Sequence, residues 1–118
     1  MKPRFAFMNN KYYKFLYDIR ESISNIEKYV PEPRVFENYN SNNLLQHAVE
    51  RNLEIIGEAV KNLLEIQPDI KISHARKIVN TRNKISHGYD EIENAEIWNI
   101  IINYLPLLKN EVEVLLNP

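Results

Sequence analysis

The chain has 118 residues, 44% hydrophobic and 26% charged, with two glycines and no cysteine. That length supports one domain with a single modest core, the missing cysteines exclude disulfides, thiolate nucleophiles and cysteine zinc sites, and so little glycine disfavours turn-rich sheet folds and any glycine-rich phosphate loop. A net charge of −1 provides no global field for nucleic acid, and no apolar run approaches the ~20 residues of a membrane span or follows a basic N-terminus like a signal peptide, so a cytoplasmic protein without membrane contact is expected.

Residues 1–7 show no clear periodicity, and Pro3 discourages an early helix. From Met8 to Val30 the apolar residues Phe15, Ile19, Ile23, Ile26 and Val30 recur at helical spacing, with Tyr12 and Leu16 widening the stripe. Pro31 and Pro33 then end the helix. The segment 31–40 reads as a loop whose Phe36 and Tyr39 turn back onto the core, and Asn38, Asn40, Ser41 and Asn42 are candidate caps for the next helix.

A second helix is predicted over Ser41–Ile66, with Leu45, Ala48, Val49, Ile56, Ala59, Val60 and Leu63 on one stripe. Gly57 sits inside it at a cost of about 1 kcal/mol relative to alanine, which implies close approach of a neighbouring backbone. After Gln67-Pro68-Asp69, Ser73 is placed to cap a short third helix over His74–Ser86, with Ala75, Ile78, Val79 and Ile85 inward and Gly88 as the residue just past its end. Asn94 can cap the last helix, to Asn117, whose Trp98, Ile101, Leu105, Leu108, Val112 and Leu115 make a heptad-like seam. Pro106 lies inside it and predicts a kink. The expectation is a single all-α domain over residues 1–118, an up-and-down four-helix bundle with a short third helix. Its stripes exceed what one small core needs, which points to a homodimer through helices.

Chemistry concentrates near the end of the third helix. From His74 to Tyr89 there are Arg76, Lys77, Arg82 and Lys84 and no acid, a local +4 that leaves −5 on the rest of the −1 chain. Such a segment is either a site or a solvated helix face. Within Arg82-Asn83-Lys84-Ile85-Ser86-His87-Gly88-Tyr89, the arginine offers a forked, permanent cation suited to phosphate oxygens. The histidine, with a pKa near ~6.5, can exchange a proton with a ribose 2′-hydroxyl or a leaving 5′-oxygen. On a regular helix the two point about 140° apart. They converge if the last turn unwinds before Gly88, or if two copies of the chain face each other.

The structural alternative is that His87 stabilises the helix dipole by ~0.3–1 kcal/mol and that Tyr89 anchors the bundle. His47 and His74 are isolated, and no His/Asp/Glu set has metal spacing, so no metal is expected. His47 with Arg51, and Glu50 with Glu54, read as solvated pairs. Glu58, flanked by Ile55, Ile56, Ala59 and Val60, is the acid placed to lie inward, where it orients Arg82 or simply pairs with it.

The eight-residue stretch resembles the R-x4-H-x-Y signature of HEPN-domain toxins of the HepT type. The segment Val49–Ala59, Ile97-Trp98 and Leu105-Pro106-Leu107-Leu108 are also similar to that family, over about Lys11–Leu116. The resemblance implies a homodimeric HEPN bundle with two signatures in one cleft, acting as a metal-independent endoribonuclease toxin. By the same resemblance Arg82 would stabilise the scissile phosphate, His87 would be the acid/base, and Asn83 would help shape the site. Tyr89 matches the tyrosine that a minimal nucleotidyltransferase antitoxin modifies with AMP, using ATP and magnesium. RNA, and not DNA, is then the substrate. The second function class compatible with the residues is a non-catalytic helical subunit that binds substrate for such a nucleotidyltransferase.

Overall fold

The computed structural model describes the backbone of residues 3–87 and 92–118 and the side chains of residues 10–86 and 92–118. Gly88 and Tyr89, and the His87 side chain, thus lie outside the described residues. The elements in chain order are α1 (Pro3–Tyr29), α2 (Phe36–Asn40), α3 (Asn43–Ile66), α4 (Ala75–His87), α5 (Asn94–Asn99), a π-helical turn (Ile100–Tyr104) and α6 (Leu105–Leu116). Because α5, the π turn and α6 follow one another without a break, they form one rod. With α1, α3 and α4 it completes the four-helix bundle, and α4 is the short third helix.

The core is one cluster of buried side chains. Leu16, Ile19, Ile23 and Ile26 of α1 meet Val49, Leu53, Ile56, Val60 and Leu63 of α3, and Ile97, Ile101, Leu105, Leu108 and Val112 of the rod close it. The periodic stripes therefore become the core, with one shift. Ile97 is buried where Trp98 was expected, and the Trp98 ring packs beside Phe36 and Tyr39 instead, its centroid 5.8 Å and 5.7 Å from theirs. Fully exposing a leucine-sized side chain forfeits about 1.5–3 kcal/mol, so even this limited core outweighs local propensity.

Several local expectations give way for identifiable reasons. Helix α1 begins at Pro3, because proline at the first helical position lacks an N–H that would be unpaired there anyway. Residues 36–40 form a short helix and not a loop, which seats Tyr39 fully inside. Its burial, followed by the charge of Glu50, pushes the Tyr39 hydroxyl well above the usual tyrosine range. Helix α3 starts at Asn43 and not Ser41, since the Asn42 side chain accepts a hydrogen bond from the Leu45 N–H at 3.0 Å.

Ser73 does not cap α4. Its N–H and hydroxyl both donate to Glu111 of α6, the hydroxyl at 2.6 Å, so it ties the α3–α4 connection to the rod. His74 is not isolated either, standing edge-on to Tyr104 with centroids 4.6 Å apart. Pro106, expected to kink the last helix, lies in the first turn of α6 directly after the π turn. There the Leu105 N–H bonds to the Ile100 carbonyl, one residue further back than in an α-helix.

Candidate functional site

Helix α4 packs against α3, and the crossing is fixed at Gly57. A methyl group built on Gly57 would overlap the Arg82 Cβ, lie 2.8 Å from its Cγ and 3.3 Å from the Ile78 carbonyl oxygen. The glycine therefore admits the stem of Arg82, together with the α4 backbone at Ile78. This is the close approach its presence implied, made mainly by a side chain. Arg82 enters the α3–α4 interface at its stem and carries its guanidinium out to the rim.

Two groups hold that guanidinium. The Asn83 amide oxygen accepts from Nη1 at 3.1 Å, and Glu58 Oε2 stands 3.0 Å from Nη2. The Glu58 contact is an ion pair and not an aligned hydrogen bond, because Oε2 is buried with no hydrogen-bond partner among the described residues. Charge attraction tolerates that misalignment where a hydrogen bond does not. Arg82, Asn83 and Glu58 are thus brought together. The α4 backbone stays helical through His87, so its last turn is not unwound there.

Arg82 forms one end of a groove of about 370 Å³ between α1 and α3. Helix α1 contributes Lys14, Phe15 and Asp18, and α3 contributes Arg51, Glu54, Ile55, Glu58, Ala59 and Asn62. Lys14 pairs with Asp18 at 2.7 Å, and Ser86 of α4 donates to Glu54 at 3.1 Å. A second depression, about 640 Å³, lies on the other flank of α4 and is lined in part by Glu50, Lys84, Ile85 and Asn94. Lys84 is drawn there toward Glu96 of α5, 3.4 Å away. Once the pairs Arg82–Glu58 and Lys84–Glu96 are discounted, Arg76 and Lys77 are the cations of α4 left without a carboxylate among the described residues.

The family comparison decides what kind of protein carries this arrangement. A family profile described as "Ribonuclease HepT-like" matches residues 19–115. The chain belongs to the HepT-like ribonuclease family.

Among relatives in this family, the Thermococcus cleftensis protein named "Probable ribonuclease HepT" is 35% identical over 112 residues, 92% of this chain and 98% of the relative. A Methanocaldococcus jannaschii protein named "Putative RNase MJ0127" is 36% identical over 103 residues, 84% of this chain and 82% of the relative. No solved structure matches the chain significantly.

Among the described residues no group of three or more His, Asp or Glu side chains is arranged to hold a metal ion, and no helix is long and apolar enough to cross a membrane. Sequence reasoning singled out Arg82, Asn83 and Glu58 but missed the groove beside them. Lys14 and Asp18 carried one faint signal, their i, i+4 spacing, and nothing in the sequence shows that α1 delivers them opposite Glu58.

Proposed function

We propose that this member of the HepT-like ribonucleases is a metal-independent endoribonuclease, a cytoplasmic toxin of a toxin–antitoxin pair. In the reaction, His87 takes the proton from a ribose 2′-hydroxyl and the 2′-oxygen bonds to the adjacent phosphorus. The bond to the 5′-oxygen breaks, and the leaving oxygen takes a proton from the imidazolium so formed, giving a 2′,3′-cyclic phosphate and a free 5′-hydroxyl. The nucleophile belongs to the substrate, so the protein has to supply a proton relay and a cation for the charge gathering on phosphorus. Arg82 is that cation.

The observation that carries this reading is the seating of Arg82. A guanidinium is pinned by Glu58 and Asn83 at the rim of a groove in a chain of ribonuclease lineage, with its stem locked against Gly57. Preorganisation of this kind costs no reorganisation at the moment of reaction. Because α4 remains helical through His87, we place the reacting pair across a homodimer, Arg82 and His87 meeting from two chains. Arg76 and Lys77 add the positive field that an otherwise acidic body lacks.

Inhibition has its physical basis in the same placement. A minimal nucleotidyltransferase antitoxin, using ATP and magnesium, transfers AMP to the Tyr89 hydroxyl with release of pyrophosphate. This puts bulk and a phosphate charge two residues from His87, where RNA phosphate has to sit.

Expression without any partner tests the reading: wild type arrests growth and cuts RNA in the presence of EDTA, and His87→Ala does neither while keeping its helical spectrum. Equal RNA cleavage by the two proteins refutes the role given to His87, and no cleavage by either leaves the non-catalytic, substrate-binding subunit.

A further inference from the structure

We infer that the groove between α1 and α3 is a nucleobase subsite, taking one base next to the phosphate held by Arg82. The inference rests on the ribonuclease reading and adds to it the part of the substrate that this groove recognises.

Charge is the first argument. The groove is lined by three cations, Lys14, Arg51 and Arg82, and three carboxylates, Asp18, Glu54 and Glu58. A phosphodiester track is predominantly cationic, and a balanced lining has no net attraction for it. The balanced lining fits the uncharged part of a nucleotide, with the phosphate left at the Arg82 rim.

Chemistry and size agree. Phe15, Ile55 and Ala59 supply an apolar wall, and Asn62 adds an amide able to donate and accept at a base edge. The Phe15 ring is half-buried against the core and so held in place. The Lys14 ammonium sits 5.4 Å from its centroid, and the Lys14 side chain is 65% exposed. That stem covers an aromatic face to which a base can stack, and because its ion pair with Asp18 is solvent-exposed, a base displaces it at little cost. The volume of about 370 Å³ falls at the small end of ligand pockets, suited to one base and not to a folded RNA element.

The probe is a set of short 2′-O-methylated RNAs in which each position in turn is abasic, so that binding is read without cleavage. For the full-length wild type, one position next to the cleavage site should lose affinity by about 5- to 150-fold when abasic, the usual range for a stacked base. With Phe15→Leu, which keeps apolar volume, intact RNA should bind more weakly and the abasic penalty at that position should disappear. Asn62→Trp fills the groove from its rim without entering the core, and should erase the same penalty.

Circular dichroism and thermal melting of each variant, matched to wild type, exclude a fold defect as the cause of weaker binding. An abasic penalty in both variants equal to that of wild type overturns the inference while leaving the nuclease reading standing. Failure of wild type to bind any of the RNAs overturns both.

Discussion

Gly57→Ala is the most direct test of how Arg82 is positioned. Elsewhere in a helix this change is favourable by about 1 kcal/mol. Here the new methyl would overlap the Arg82 Cβ and come within 2.8 Å of Cγ and 3.3 Å of the Ile78 oxygen. Cβ is fixed to the backbone and cannot rotate away, so α4 has to move off α3. Overpacking of this kind costs about 1–3 kcal/mol. Set against the propensity gain, the net is a destabilisation of up to about 2 kcal/mol, or a fall in Tm of up to about 8 °C at roughly 4 °C per kcal/mol.

The same shift moves the guanidinium relative to Glu58 and the groove, and a displacement of about 1 Å can cost on the order of 100-fold in rate. Thermal unfolding followed by circular dichroism, paired with RNA cleavage at saturating substrate, measures both effects. In an Arg82→Gly background most of the stability penalty should vanish, because the methyl then keeps only the milder contact with the Ile78 carbonyl oxygen at 3.3 Å. A Gly57→Ala protein that melts above wild type and cleaves at the wild-type rate would refute the account of the crossing and of what it positions.

Glu58→Gln keeps the shape and removes the charge that holds Nη2; it should lower cleavage at saturating RNA at least tenfold. The partly exposed pair contributes only about 0–1 kcal/mol, so Tm should stay close to wild type, and a large Tm loss with intact cleavage would assign Glu58 a purely structural role. Glu50 offers a pH test. Burial raises its carboxyl above the ordinary 4.5, with His47 opposing the shift and Glu54 adding to it. The folded state then binds this proton more tightly than the unfolded chain, so the contribution to stability is full below 4.5 and is lost as pH rises through the raised value. Glu50→Gln should remove that loss, and denaturant midpoints measured from acid to neutral pH should show the variant at least as stable as wild type at pH 7.

The bundle was legible in the linear chain because burial repeats with the helical period. Ile19, Ile23, Ile26, Ile56, Val60, Leu63, Leu105, Leu108 and Val112 all fall where spacing put them. What the periodicity missed has local causes. A proline at a first helical turn, or one directly after a π turn, leaves the same residues in the sequence as a proline that breaks a helix, and the difference lies in whether the missing N–H had a partner to lose. Ser73 looked like a cap because serine usually is one, but a carboxylate arriving from Glu111 on α6 outcompeted that role.

The amino-acid sequence by itself determined that the protein is an all-helical bundle, and it marked Arg82, Asn83 and Glu58 as the residues worth watching, because helical period and side-chain chemistry are properties of neighbours along the chain. Only the tertiary structure decided that Gly57 is the seat of Arg82, that Glu58 faces its guanidinium and that Phe15 shares a groove with both. Those facts depend on how α1, α3 and α4 cross, and a crossing is set by which side chains fit into which gaps between helices, a relation that no spacing within a single helix contains.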